Sequence, residues 1–275
     1  MQINLGVRFC KAFISKNYAL DSLADSSQGR ANQANLQRLN ALKKDLNLNF
    51  IPPIERRRLS DASKIAFSLL GDSPLKMPIV FSSQKGEINR CFAMLNDLAT
   101  HNITSPTAFS LSVLNSTPAL LAIAQKNHSE ILAVSAVDCL EYGLVNAYAL
   151  LCESAQNMGE SGESSGESAQ DSSESNGESQ PKDCLVISYE EILHSKDICA
   201  VIARVSLDSA LPQITLKLRN DSAQDSRQNS RESTANLSSN LAFLYSVASE
   251  KAHYQNGDFV VDLGDFLKGF SFANL

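Results

Sequence analysis

From Met77 to Leu151 the sequence alternates short apolar runs with long amphipathic stretches, and that alternation narrows the fold more than any other feature. MPIVFS at Met77–Ser82 has the length and composition of a short buried strand. From Gly86 onward, Ile88, Cys91, Phe92, Leu95, Leu98 and Ala99 recur at helical spacing and fall on one face. PALLAIAQ at Pro118–Gln125 is apolar all round, which predicts a buried helix. EILAVSA at Glu130–Ala136 reads as a central strand. Asp138 then opens a helix through Leu151, with Glu141 three residues on to complete a capping box. Strand followed by helix, twice over, predicts a parallel sheet covered by helices.

The flanks extend this pattern. Upstream lie a strand through Ile3–Phe13 and a polar helix around Asn35–Leu46. Pro52 and Pro53 open a helix whose stripe is Leu59, Ala62, Ala66, Leu69 and Leu70, closed by Gly71. Downstream come strands at Cys184–Tyr189, Ile198–Leu207 and Gln213–Arg219. The last alternates Ile214, Leu216 and Leu218 with polar residues, as a strand covered on one face does. A helix over Leu237–Glu250 and a final segment to Leu275 close the chain. The whole predicts a three-layer α/β domain, with alternating units first and a meander later.

Two stretches fall outside this order. Residues 154–182 hold nine Ser, four Gly-Glu-Ser triplets and almost nothing apolar, so they are expected to form a flexible acidic insert. Residues 220–236 repeat the pattern with mixed charge and read as a second flexible polar insert. Without these 29 and 17 residues, 229 of the 275 remain, the size of one domain with expanded loops spanning 1–275.

Charge and cysteine usage exclude several functions. The formal charge is −6, but the six acids and one Lys of 154–182 account for −5. A near-neutral body offers no basic field for nucleic acid or an anionic membrane. Cysteines 10, 91, 139, 152, 184 and 199 form no C-x-x-C pair, and Arg8, Lys11 and Lys16 interrupt any N-terminal signal, so reduced thiols in a cytoplasmic protein are expected. The charge-free span Leu98–Gln125 does not read as a membrane segment, because ten of the 23 residues from Ile103 are Ser, Thr, Asn or Pro.

Four groups of residues bear on function. Arg56, Arg57 and Arg58 fall in a predicted first helical turn, where each exposed cation costs roughly 0.3–1 kcal/mol; they are either a solvated cluster or a surface for an anionic partner. Ser83, Gly86 and Glu87 lie where a strand becomes a helix, either a plain turn capped by Ser83 or a ligand loop. Cys139 stands at a helix start, where a dipole lowers a thiol pKa, but Asp138 and Glu141 oppose a thiolate. His101, His128, His194 and His253 show no ligand spacing, so no metal or cofactor is expected. There is no G-x-S-x-G elbow.

ERRRLS at Glu55–Ser60, FSSQKGE at Phe81–Glu87 and SPTAFSLSVLNS at Ser105–Ser116 stand in an order and spacing that resembles the β-ketoacyl-synthase-like N-terminal domain family. The resemblance covers residues 51–152 well and 184–207 loosely. It implies a thiolase-like, truncated ketosynthase-like fold, whose members commonly pair edge strands across a two-fold. It also implies a role near fatty-acid or polyketide chain building, often in clusters making aryl polyene pigments. Ser105, Pro106, Phe109, Ser112 and Asn115 match the family run, while Leu114 stands where the family usually has His. Together with Arg56, Arg57, Arg58, Ser83, Gly86 and Glu87 they are the binding candidates.

Ketosynthases carry their nucleophile in a Thr-Ala-Cys-type turn after a strand, assisted by two histidines from the second half of the fold. Laying Ser135-Ala136 on Thr-Ala puts Val137 at the nucleophile position, and Cys139 then points roughly 200° away at ~100° per residue. The resemblance therefore implies a non-catalytic accessory protein acting beside a ketosynthase or acyl carrier protein, as a homo- or heterodimer. Two alternatives stay open: an acyltransferase or condensing enzyme using Cys139, and a protein-interaction module unrelated to acyl chemistry.

Overall fold

In the computed structural model, residues 1–20, 33–72, 74–160, 182–195, 197–219, 238–270 and 275 are described. Their order is β1 (Gln2–Ile14), α1 (Gln33–Ala41), α2 (Pro53–Arg56), α3 (Asp61–Leu70), β2 (Ile79–Ser83), α4 (Ile88–His101), α5 (Pro106–Ser112), α6 (Ser116–Gln125), β3 (Ile131–Ser135) and α7 (Cys139–Glu160). There follow β4 (Asp183–Glu191), β5 (Ile198–Ser206), β6 (Gln213–Leu218), α8 (Ser239–Ala248), β7 (His253–Asn256), β8 (Phe259–Asp262) and α9 (Gly264–Gly269).

The strands form one eight-stranded sheet in the order β3-β2-β4-β5-β1-β6-β8-β7. β2 runs parallel to β3 and β4, with Val80 opposite Leu132 and Val186, while β5 is antiparallel to β4 and β1. Alternation along β2 serves both faces at once. Val80 joins a core with Leu140, Leu144, Phe243, Leu244 and Phe266 from α7, α8 and α9. Ile79 and Phe81 join the opposite core, with Ile65, Phe67 and Leu121 from α3 and α6. Helices on both faces of a mixed sheet give the three-layer α/β arrangement that the resemblance implies.

Local chemistry fixes the helices that matter. Ser60 caps α3, its Oγ accepting the Ser63 N–H at 3.1 Å, and Gly71 ends the helix at φ 72°, a conformation that favours glycine. Gly143 lets α7 lie against β2, because a Cβ there would come within 2.6 Å of Ser82 Oγ.

Several expectations need correction. The helix predicted from Pro52 is two: α2 ends at Arg56, Arg57 and Arg58 follow it, and α3 has Asp61 in its first turn. The arginines therefore do not oppose the dipole of the long helix. β3 is an edge strand, not a central one. The predicted apolar face of α4 is present, yet α4 has no buried residue. α6 is not buried all round, since Ile123 is 75% exposed. Glu141 does not close a capping box; its carboxylate turns to residues of α8 and β7. α7 continues to Glu160, into the first predicted insert. The rest of that insert from 161 to 181, and the second insert, lie outside the described residues. All six cysteines are free, and among the described residues no single helix is long and apolar enough to cross a membrane.

Candidate functional site

The three quoted runs converge on one buried polar cluster beside the carboxyl end of β2. Ser60, from the first run, lies 2.8 Å from Ser63 Oγ and 3.4 Å from Thr117 Oγ1, hydroxyl to hydroxyl. Thr117 follows the third run directly. Glu87, which ends the second run, packs its carboxyl against the Ser60 hydroxyl and accepts the Arg90 Nε–H at 3.0 Å. Burial pushes the Glu87 carboxyl above its ordinary range, against the pull of Ser60 and Arg90. Within the loop, Ser83 Oγ accepts the Gly86 N–H at 2.9 Å, so Ser83 forms a turn and does not cap α4. Gly86 sits at φ 58°, and a Cβ there would meet Leu114 Cδ1 at 3.4 Å. Leu114 thus packs the third run onto the second with a methyl group.

The remaining candidates are structural or exposed. Ser105 caps α5 by accepting the Ala108 N–H at 3.2 Å, with Pro106 beginning the helix. Ser112 donates to the Phe109 carbonyl at 2.8 Å, and the Phe109 ring is 55% exposed. Asn115 precedes α6 without a side-chain cap bond. Arg56 donates to the Ile51 carbonyl at 2.9 Å, whereas Arg57 and Arg58 are exposed.

At the turn from β3 to α7, Ser135 Oγ donates to the Gln84 carbonyl at 3.1 Å, tying this turn to the loop after β2. Val137 is 68% exposed and has no group to acylate. Cys139 is fully buried, with its Sγ 3.2 Å from Ser188 Oγ. Burial first, then the Glu190 charge, holds its thiol well above the ordinary range. A buried, protonated thiol is a weak nucleophile.

The matching family model is that of the β-ketoacyl synthase N-terminal domain, and it covers residues 28–158. The chain is similar to that family over this stretch, which is just under half of its length. The whole fold is similar to a chain of the ketosynthase (ApeO) in complex with its chain length factor (ApeC) from Xenorhabdus doucetiae. The TM-score is 0.58 and the identity 17%, over 94% of this chain and 98% of that one. A β-ketoacyl synthase from Burkholderia phymatum STM815 matches at TM-score 0.46 and 10% identity, over 74% of this chain and 59% of that chain. The AntDE:AntF structure, a type II PKS acyl-carrier protein in complex with its ketosynthase, matches at 0.49 and 10%, over 80% and 70%. No curated protein matches the sequence.

Within this ketosynthase-like domain, several residues carry a buried polar role that no local motif announced. Tyr189 and Glu191 from β4 join Glu87; Glu190, beside them, caps α8 by accepting the Ser239 and Asn240 N–H groups at 3.1 and 2.9 Å. Glu141 accepts from Ser239 Oγ, from Tyr254 OH at 2.9 Å and from Asn256 Nδ2 at 3.1 Å. Burial raises its carboxyl to about 7. Each of these depends on partners distant in sequence.

Proposed function

We propose that this chain is a non-catalytic, ketosynthase-like accessory protein that acts beside a complete condensing enzyme in polyketide-type, aryl polyene chain building in the cytoplasm. The turn after β3 supports this reading: laying Ser135-Ala136 on the family's Thr-Ala puts Val137 at the nucleophile position, and the thiol of Cys139 two residues on is buried, bonded to Ser188 and held protonated. The solved complex of similar fold joins a ketosynthase to its chain length factor, and the matched chain there is covered over 98% of its length. A ketosynthase held in complex with a second chain fits the accessory role proposed for this one.

Two open features support a protein partner. Among the described residues the outer edge of β3, Ile-Leu-Ala-Val-Ser, has no strand partner, and it carries no charge or proline to prevent pairing. On α4, Phe92, Leu95 and Leu98 are 45%, 53% and 44% exposed, an apolar stripe facing solvent. α4 packs on α5, α5 on α6, and α6 on β3, so the stripe and the free edge belong to one run of packed elements. Exposed Arg57 and Arg58 suit an acidic carrier protein approaching the same complex.

Two measurements test the reading. Incubation with an acyl thioester is expected to leave the intact mass unchanged, and an acyl-Cys139 adduct would transfer the chain to the enzymes. Co-expression with the ketosynthases of the same genome is expected to give a stable heterodimer by size exclusion, lost in Leu95→Asp. A strict monomer with every such candidate would sink the accessory role.

A further inference from the structure

The start of α7 carries two acids that face the β7–β8 hairpin. Glu141 is fully buried and accepts from Ser239 Oγ of α8, from Tyr254 OH at 2.9 Å and from Asn256 Nδ2 at 3.1 Å, so one carboxyl joins three elements. Asp138, 8% exposed, accepts the Asp258 N–H at 3.4 Å. A Cβ on Gly257 would collide with the Asp138 carboxylate, so the tip of the hairpin lies directly on that acid. The hairpin is otherwise held by Tyr254, Phe259 and Val261 in the core and by a pairing of β8 with β6 over four positions. It ends the sheet on the side away from β3, and a two-stranded ribbon of this length is marginal by itself.

The charges around this contact have mostly one sign. α7 supplies Asp138 and Glu141, with the Cys139 thiol between them. β4 supplies Glu190, whose carboxylate accepts the Ser239 and Asn240 N–H groups. α8 supplies no charged side chain. The hairpin supplies the Tyr254 phenol and Asp258, with His253 and Asp262 set against each other at 3.5 Å at its other end. On β6 the Lys217 side chain is exposed, and Arg219 just beyond it donates to the Gly257 carbonyl at 3.4 Å rather than to either acid. Ionising Glu141 therefore places a charge where burial removes water and no cation compensates it. The three donors favour the ionised form, but burial outweighs them and holds the carboxyl at about 7, and burial raises Asp138 as well. The sign is fixed by this order. The folded value lies above the ordinary 4.5, so the stabilisation is fully present below 4.5 and is lost as pH rises through about 7. Lifting the hairpin returns Glu141 to water and relieves the penalty without opening the β2-β4-β5-β1 part of the sheet.

We propose that the β7–β8 hairpin is a pH-operated latch, seated on α7 while Glu141 is protonated and loosened above neutrality, when it uncovers the start of α7 and the edge of β6. The latch lies at the other end of the sheet from β3 and does not rest on the accessory reading.

The test is amide hydrogen exchange of the full chain at pH 5 and pH 8, resolved by residue and corrected for the intrinsic pH dependence of exchange. Protection of the hairpin amides is expected to fall by roughly 10- to 100-fold between the two, the linkage of one carboxyl moving between 4.5 and about 7. At pH 8 it is expected to lie below that of the β4–β5 amides, which report opening of the whole sheet. Glu141→Gln is neutral at both pH values, and its hairpin difference is expected to shrink to less than about threefold. Tyr254→Phe deletes one donor to the carboxylate and is expected to move the midpoint of the loss to higher pH, an independent check should the first variant fail to fold. Hairpin protection that stays flat between pH 5 and pH 8, or that is lost only together with β4–β5, would overturn the latch. So would the full pH dependence persisting in Glu141→Gln, or an unmoved midpoint in Tyr254→Phe.

Discussion

The units β2–α4 and β3–α7 are the same piece of architecture used twice, a parallel strand leading into an amphipathic helix, yet their helices meet opposite fates. α7 buries Leu140, Leu144, Ala147, Leu150 and Leu151, and its acid, Glu141, is satisfied by three side chains of the same protein. α4 buries nothing, and Glu87 at its start keeps an unbonded oxygen. The difference lies in what the rest of the chain supplies. α8 and the β7–β8 hairpin close over the first turn of α7, where the Asp258 N–H reaches the Asp138 carboxylate at 3.4 Å and Tyr142 meets Phe259 edge to face at 5.1 Å. A hydrophobic stripe thus states that a helix is to be covered. It does not state that its own chain does the covering.

The largest effect expected from this contrast is on stability at α7. Leu144→Ala removes a side chain 1% exposed and is expected to cost about 2–5 kcal/mol, read as a lower urea midpoint with unchanged slope. A loss well below about 1 kcal/mol, typical of surface sites, would mean that α7 is no better packed than α4 and would break the comparison.

The acid of α7 gives the next effect, with a defined sign. Burial holds the Glu141 carboxyl at about 7 in the folded chain, against 4.5 for the unperturbed group. The fold therefore favours the protonated form. Its contribution is fully present below pH 4.5 and is lost as pH rises through about 7. Glu141→Gln keeps the neutral form at every pH. Its stability relative to wild type is expected to be higher at pH 8 than at pH 4, by at most about 3 kcal/mol. Paired denaturation curves at the two pH values measure this, and a pH-independent difference would show that the three donors alone govern the site.

The same contrast marks what was legible beforehand. Side-chain alternation reports faces, so the strands and both apolar helix stripes could be read. Backbone edges leave no such trace, which is why Ile131–Ser135 reads as central although among the described residues its outer edge has no strand partner. The spacing of Asp138 and Glu141 fits a capping box, but the donors that claim Glu141 lie 98, 113 and 115 residues away, beyond any local pattern. The β7–β8 hairpin was missed because its strands have four residues each. Its Asn256-Gly257 turn, with Gly257 at φ 49°, was the available signal. The family runs located the polar cluster through Ser60 and Glu87. They gave no hint of Tyr189 or Glu191, which join it only once β4 pairs with β2.

The smallest expected change is also the one that sharpens the comparison most. Leu95 stands on α4 much as Leu144 stands on α7, and both replacements delete the same atoms. Leu95 is already 53% exposed, so Leu95→Ala removes little buried area and leaves no cavity. Alanine also has the higher helix propensity, which offsets part of the remaining loss. The free chain is therefore expected to change by less than about 0.5 kcal/mol, the range of ordinary surface substitutions. Bound to the partner, Leu95 is expected to behave like Leu144, because the partner then supplies the packing that α8 and the hairpin supply to α7. Thermal denaturation of the free chain and of the complex, with both variants side by side, decides the matter. A destabilisation of the free chain matching that of Leu144→Ala would show that α4 is already covered within one chain, and the stripe would no longer call for a partner.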